Sequence, residues 1–165
     1  MYSAFKEFLH NIVFWSAIFG WIVAQCTKVL CNMVTSRKSG VDWLLMLGGM
    51  PSAHSSAVGA MTTSVGIHCG WSSPIFGFAI TFAVLTMIDA STVRRASGFQ
   101  ATLLNDIVDE LFKEHRLSQN KVRELIGHTR LEVLLGLTMG IFVALLLNGI
   151  SGFPGKFLAD ACIPR

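Results

Sequence analysis

Residues 51–69 read PSAHSSAVGAMTTSVGIHC, a run rich in Ser, Thr, Gly and Ala and almost free of large side chains. Small residues let helix backbones approach one another closely, and this suits contact between helices better than contact with lipid. We therefore expect this stretch to form a helix that packs against other helices. Hydropathy alone leaves open whether it spans a membrane.

Three longer apolar stretches surround it, at about residues 8–33, 74–90 and 133–150. Each is close to the roughly 20 residues that a membrane-spanning helix needs. Charged residues make up only 14% of the 165-residue chain, against about 25% in soluble domains. The sequence thus predicts an all-α integral membrane bundle of about four spanning helices. It forms one domain over residues 1–165, with a core at about 8–150 and a loose tail at 151–165.

The polar connection between the last two stretches holds most of the charges. Within it, apolar residues of 100–115 recur every three or four positions, which predicts an amphipathic helix on the polar side of the bundle. A second short helix is expected at about 119–126. The apolar positions of the first helix are Leu103, Leu104, Ile107, Val108, Leu111 and Phe112.

Lys and Arg are distributed unevenly. Nine of the 13 lie in the two connections that precede the second and fourth stretches. Because cytoplasmic loops carry an excess of Lys and Arg, these connections and the site described below are expected to face the cytoplasm. We expect the membrane to be an inner or plasma membrane, or the equivalent membrane of an organelle. A net charge of +3 is too small to indicate a nucleic acid partner.

The four cysteines, Cys26, Cys31, Cys69 and Cys162, form no C-x-x-C pair. We expect small packing residues rather than a metal site or a disulfide framework. The sequence also lacks the carboxylate cluster that a Mg²⁺ site requires. Neither a metal nor another cofactor is therefore expected.

The first group with chemical potential is residues 48–56. Gly48, Gly49 and Pro51 suit the start of a helix, whose free N–H groups form an anion site. Ser52 offers a hydroxyl donor, and His54 offers a proton for a leaving oxygen. The alternative is a broken helix whose polar residues pack between helices.

The second group is His128 with Glu132. Four residues apart, they share a face of a continuous helix, and a carboxylate that holds one imidazole nitrogen makes the other nucleophilic. Thr129-x-x-Glu132 before an apolar run is also a capping box. The two roles are compatible.

The third group lies at the end of the third apolar stretch. Arg94 and Arg95 could bind phosphate bidentately or could anchor the helix at the membrane surface. Asp89 could pair with one of them or orient a histidine. Lys28, near the end of the first stretch, could reach the same pocket or extend to the surface.

All three groups fall at the cytoplasmic ends of their helices. Two histidines, several cations and a helix N-terminus together suit phosphoryl transfer without a metal. One histidine attacks phosphorus, cations hold the equatorial oxygens, and the second histidine protonates the leaving group.

The segment Gly48-Gly49-Met50-Pro51-Ser52-Ala53-His54-Ser55 resembles the signature of the divergent type-2 phosphatidic acid phosphatase family, which is related to acid phosphatases and vanadium-dependent haloperoxidases. Further matches follow in family order over about residues 20–145. They are Ala24-Gln25 with Lys28, Asp89-Ala90 with Val93-Arg94-Arg95, Gly98-Phe99-Gln100-Ala101 with Leu104-Asn105, and Gly127-His128-Thr129 with Glu132-Val133.

The resemblance implies hydrolysis of a lipid phosphate, as a phosphomonoester or pyrophosphate, through a phosphohistidine. It makes His128 the nucleophile, Glu132 its orienting carboxylate and His54 the general acid. Ser52 and Lys28 would bind phosphate; Asp89, Gln100 and Asn105 would support the site. Arg94 and Arg95 would replace the usual phosphate-binding arginines, since Thr35-Ser36 stands where the broader superfamily has Arg-Pro. The rival hypothesis is a non-catalytic membrane protein of the same fold that binds phosphate or lipid. Whether the chain forms a homo-oligomer is left open.

Overall fold

The computed structural model describes residues 2–36, 50–111 and 128–150, and its side chains over 5–34, 50–93, 96–108 and 128–150. Within these ranges the chain is helical and contains no strand, which confirms the all-α membrane bundle. Six helices are described: α1 (Tyr2–Leu9), α2 (Ile12–Ser36), α3 (Ala53–Cys69), α4 (Pro74–Ser91), α5 (Val93–Leu111) and α6 (Arg130–Ile150).

The first apolar stretch is divided at Asn11. The Asn11 side-chain oxygen accepts hydrogen bonds from the N–H groups of Val13 and Phe14, at 3.0 and 3.1 Å. Asparagine is among the best N-capping residues because its side chain satisfies donors that the helix leaves free. The first span therefore begins at Ile12, and not near residue 8 as the apolar run predicted.

Serines begin the next two helices. Ser52 caps α3 and Ser73 caps α4, each accepting from the N–H three residues later. Pro74 then occupies the first turn of α4, where its missing N–H has no cost. Pro51 was expected in the equivalent place of α3. It instead precedes the cap, because Ser52 is the residue that supplies the capping oxygen.

Helix α3 lies at the centre of the bundle and contacts α6, α2 and α4. Twelve of its 17 residues are buried, as the small residues of this stretch predict. Glycines on α6 make this close approach possible: a Cβ at Gly136 or Gly140 would collide with the carbonyl oxygens of Ser52 and Ser56. Within a membrane the hydrophobic effect does not drive helices together, and close backbone contact of this kind promotes their association instead.

In the part of the chain that the structure describes, three helical segments are long and apolar enough to cross a membrane, namely Ile12–Val34, Pro74–Val108 and Arg130–Ile150. Helix α3, with 17 residues, is shorter than these. Its contacts with α2, α4 and α6 enclose it, so most of its surface meets protein rather than lipid. This explains why hydropathy alone did not settle its position.

Helices α3 and α6 run parallel, and α2 and α4 run antiparallel to them. Ser52 and Ser56 lie beside Gly136 and Gly140, and Ser64 lies beside Asn148. The starts of α3 and α6 thus meet the last turns of α2 and α4 at one end, which we call the site end. The opposite end, where residues 70–73 connect α3 to α4, is the turn end.

The amphipathic helix begins earlier than predicted. Helix α5 starts at Val93 rather than at Gln100, because the Ala96 N–H bonds to the Thr92 carbonyl at 2.9 Å and resumes the helix at once. Its predicted continuation over 112–115, the short helix at 119–126 and the tail at 151–165 lie outside the described residues.

The cysteines differ from expectation. Cys26 and Cys31 are exposed on α2 rather than buried. Lipid tails are as apolar as a protein core, so a thiol on a lipid-facing helix surface needs no burial. Cys69, at the turn end, is disulfide-bonded, contrary to the expectation of unpaired packing residues.

Candidate active site

His128 lies at the entrance to α6 and is only 1% exposed. Its backbone N–H donates to the Ala90 carbonyl oxygen at 3.2 Å, which fixes it against the last turn of α4. Its side-chain Nδ1 lies 2.9 Å from the Glu132 carboxylate oxygen Oε2. The predicted pairing across one helical turn is therefore present, with the imidazole shielded from water.

The carboxylate determines which imidazole nitrogen carries the proton. An ionised carboxylate only accepts hydrogen bonds, so Nδ1 must donate to Glu132. In the neutral ring the other nitrogen, Nε2, then holds a lone pair. This is the tautomer that a nucleophilic histidine requires.

Glu132 also caps α6. The Thr129 N–H donates to the same Oε2 at 3.1 Å, and the Glu132 N–H donates to the Thr129 hydroxyl at 3.3 Å. This reciprocal pair is a capping box. Both interpretations of Glu132 hold together, and the cap adds a second constraint on the carboxylate that orients His128.

Ser52 joins the starts of α3 and α6. Its backbone N–H donates to the Glu132 carbonyl oxygen at 3.1 Å. Its hydroxyl oxygen accepts from the hydroxyl of Ser55 at 3.0 Å and from the Ser55 N–H at 3.4 Å. These two bonds use Ser52 as an acceptor and leave its single O–H donor for another partner.

Ser55, the last residue of the signature segment, is a member of the cluster to which the sequence assigned no role of its own. It is fully buried beside Ser52. A serine three residues after an N-cap serine lies on the same side of the first turn, and that spacing was the available signal. Gly136 was also missed, although its lack of a Cβ is what admits the Ser52 carbonyl.

The site end favours anions. The N-termini of α3 and α6 both lie there, and each helix N-terminus carries a partial positive charge. Lys28 is buried on α2, 3% exposed, and its ammonium is attracted by the Glu132 carboxylate. A buried lysine in a helix with the length and composition of a membrane span is costly, which makes Lys28 a candidate for a functional role.

The other residues predicted for the site lie on α3, α4 and α5. His54 is exposed in the first turn of α3, two residues after Ser52. Asp89 is half-buried in the last turn of α4, next to the carbonyl that receives the His128 N–H. On α5, Asn105 is buried and Gln100 is exposed.

Arg94 and Arg95 lie in the first turn of α5, close in sequence to the site end of α4. Their side chains lie outside the described part of the chain. The segments 37–49 and 112–127, which carry Gly48, Gly49 and Gly127 of the family pattern, are likewise outside it. Among the described residues, no group of three or more His, Cys, Asp or Glu side chains could hold a metal ion.

Comparisons with known proteins agree with this architecture. An uncharacterized membrane protein, YuiD of Bacillus subtilis (strain 168), is 38% identical over 154 residues, covering 86% of this chain and 96% of YuiD. No solved structure matches the chain. The sequence profile of the Divergent PAP2 family matches residues 9–143, a range that includes every residue of the cluster described above. The chain therefore belongs to the Divergent PAP2 family.

Proposed function

We propose that this membrane protein hydrolyses a lipid phosphate, as a phosphomonoester or pyrophosphate, through a phosphohistidine and without a metal. The observation that carries the proposal is the buried His128, whose Nδ1 is held by Glu132 at 2.9 Å. A carboxylate-held imidazole at the junction of two helix N-termini suits attack on an anion. Membership of the family supports the same chemistry.

In the first step, the Nε2 lone pair of His128 attacks phosphorus, and the P–O bond to the lipid alcohol breaks. His54 gives its proton to the departing oxygen. Positive charge that develops on the imidazole is balanced by Glu132, and charge on the equatorial oxygens is balanced by cations and donors around them. Lys28 and the Ser52 hydroxyl serve in that role, together with Arg94 and Arg95.

In the second step, water attacks the phosphorus of the phosphohistidine, and the P–N bond breaks. His54, now neutral, takes the proton of the attacking water, which restores both histidines. Inorganic phosphate leaves with the oxygen that the water supplied. Exposure of His54 on the first turn of α3 supports this role, since that side chain must exchange protons with the solvent.

One observation favours a second function. His128 is 1% exposed, and a phosphate site this closed also suits a protein that binds lipid phosphate without turning it over. Both functions require the anion site at the starts of α3 and α6. They differ only in whether inorganic phosphate is released.

The test is an assay of the purified protein, reconstituted in lipid, on long-chain phosphatidic acid and on a lipid pyrophosphate. Phosphate release should be lost in His128→Ala and strongly reduced in His54→Ala, but kept in Leu134→Ala, a lipid-facing change on α6. Activity that survives both histidine changes refutes the mechanism. Binding of phosphatidic acid without any release supports the non-catalytic function instead.

We further propose that the site end faces the cytoplasm. The nine Lys and Arg residues of the two connections at that end support this orientation. The disulfide-bonded Cys69 at the turn end supports it too, because disulfides persist in oxidising compartments outside the cytoplasm.

A membrane-impermeant maleimide applied to intact cells tests the orientation. Ser72→Cys, at the turn end, should be labelled from outside, and Ser118→Cys should be labelled only after the membrane is opened. The parental chain corrects for its native cysteines. The reverse pattern refutes the orientation and leaves the proposed chemistry untouched.

A further inference from the structure

A groove of about 420 Å³ runs along the seam between α2 and α6. Thr27 and Cys31 of α2 form one wall, Leu135, Thr138 and Phe142 of α6 form the other, and Pro51 closes it toward the start of α3. The volume falls in the range of sites that bind small molecules, about 300–1,000 Å³.

The groove is apolar despite its two threonines. The Thr27 hydroxyl donates to the Val23 carbonyl at 2.8 Å, and the Thr138 hydroxyl donates to the Leu135 carbonyl at 3.0 Å. Both hydroxyls are thus bonded within their own helices. An occupant of the groove meets mainly hydrocarbon and has few polar groups to satisfy, which favours an alkyl chain.

The groove opens to the lipid. Phe142 is 61% exposed, and Thr138 and Cys31 are also exposed. These exposed side chains belong to α2 and α6, which both have the length and composition of membrane spans. A chain could therefore enter sideways from the bilayer without crossing water.

Each wall of the groove carries a residue that is close in sequence to a residue of the candidate active site. Thr27 precedes the buried Lys28, and Pro51 precedes the capping Ser52. Leu135 lies one helical turn beyond Glu132, on the same side of α6. From Leu135 to Phe142 the groove extends away from the site end by about 10 Å, the rise of seven helical residues.

We propose that this groove, which we call the acyl groove, holds one acyl chain of the lipid phosphate whose headgroup lies at His128. The inference rests on the proposed function and specifies its substrate as a lipid with a long alkyl chain. The chain enters between α2 and α6 and follows α6 away from the site end. Its glycerol end lies near Pro51, next to the donors of the α3 start.

The first experiment narrows the groove with Thr138→Phe and uses Leu134→Phe as the matched control, an exposed α6 position that does not line it. Thr138→Phe should raise KM for long-chain phosphatidic acid at least about tenfold with little change in kcat. Hydrolysis of glycerol 3-phosphate, which has no acyl chain, should not change. Leu134→Phe should leave both substrates unaffected. Equal effects of the two variants on both substrates overturn the proposal.

The second experiment does not depend on turnover. Phosphatidic acid with a photoactivatable diazirine on its acyl chain is crosslinked to the wild type and to His128→Ala in lipid vesicles. The control is diacylglycerol with the same chain. Phosphatidic acid should label the α2 and α6 peptides of the acyl groove several-fold more than diacylglycerol does, and Thr138→Phe should abolish that preference. Labelling of the lipid-facing α4 peptide around Phe78 should be equal for both lipids.

The two proposals fail in different ways. Preferential groove labelling without hydrolysis of any lipid phosphate supports the acyl groove and refutes the phosphatase. Hydrolysis with equal labelling by the two lipids refutes the acyl groove and leaves the phosphatase standing.

Discussion

A histidine lies at each end of the parallel helix pair α3 and α6, and the partners of the two histidines differ. At the site end, His128 Nδ1 is held by the carboxylate of Glu132. At the turn end, His68 Nε2 contacts the side-chain oxygen of Asn148. Asn148 in turn donates to the Ala144 carbonyl at 2.7 Å and to the Ser64 hydroxyl at 3.4 Å.

The difference is one of charge as well as of bonding. A carboxylate can balance positive charge that forms on an imidazole, whereas an amide oxygen only fixes the tautomer. The site end also presents the positive ends of two helix dipoles, while the turn end receives the C-terminus of α3. The same pair of helices thus places a carboxylate-held histidine and two helix N-termini at one end, and an amide-held histidine that links the two helices at the other.

The largest expected effect separates the two histidines directly. His128→Asn should lower kcat for phosphatidic acid at least about 1,000-fold, because the nucleophile is lost. His68→Asn, at the turn end, should keep kcat per folded molecule within about threefold of the wild type. Comparable losses in the two variants, measured by phosphate release, contradict the assignment of chemistry to the site end alone.

The next effect concerns the charge of Glu132. Glu132→Gln keeps an oxygen for the Thr129 N–H, but its amide NH₂ would donate to Nδ1 and move the imidazole proton to Nε2. We expect kcat to fall by about 100- to 10,000-fold with little change in melting temperature.

Glu132→Ala provides the comparison for that variant. It should show the same loss of activity and should also lose about 1 kcal/mol of stability with the cap. A Gln variant that remains active would mean that Glu132 only caps α6.

A smaller effect tests the close approach of α3 and α6. Gly140→Ala places a methyl group against the Ser56 carbonyl, and the helices must separate to admit it. Overpacking of this kind costs about 1–3 kcal/mol. Gly149→Ala, on the same helix with open space around it, should be neutral. Thermal unfolding in detergent measures both, and equal melting temperatures would contradict the tight packing.

The smallest effect is expected at the turn end. Asn148→Leu removes the acceptor for His68 and the donor to Ser64. Interhelical hydrogen bonds in membrane proteins contribute about 0.6 kcal/mol on average and up to about 1.7. The melting temperature should fall slightly, and kcat should not change. A fall in kcat comparable with that of Glu132→Gln would show that the turn end takes part in the chemistry.

Local sequence patterns predicted many features correctly. The start of α4 at Pro74, the pairing of His128 with Glu132 and the capping box at Thr129 depend on residues within four positions of one another. Their outcomes follow from helix geometry alone. Errors arose where one polar side chain overrides an apolar pattern, as Asn11 does at the start of α2 and Ser52 does after Pro51.

Contacts between distant parts of the chain could not be read in this way. The Ser52 N–H bond to the Glu132 carbonyl and the His128 N–H bond to the Ala90 carbonyl involve backbone groups, which every residue possesses. No residue type therefore signals them. The acyl groove could not be predicted from the sequence either. Its lining is apolar only because the hydroxyls of Thr27 and Thr138 bond to carbonyl groups of their own helices.

The sequence by itself determined that this protein is a helical membrane bundle with a histidine–carboxylate pair and a second histidine after a serine cap, since hydropathy and helical spacing are local properties. Only the tertiary structure decided that α3 and α6 run parallel with their backbones in contact. That arrangement places two helix N-termini, Ser52 and the buried Lys28 near Glu132, the carboxylate that holds His128. The physical reason is that the glycines of α6 permit a close contact but do not specify which helix makes it. The packing of the whole bundle determines that this helix is α3.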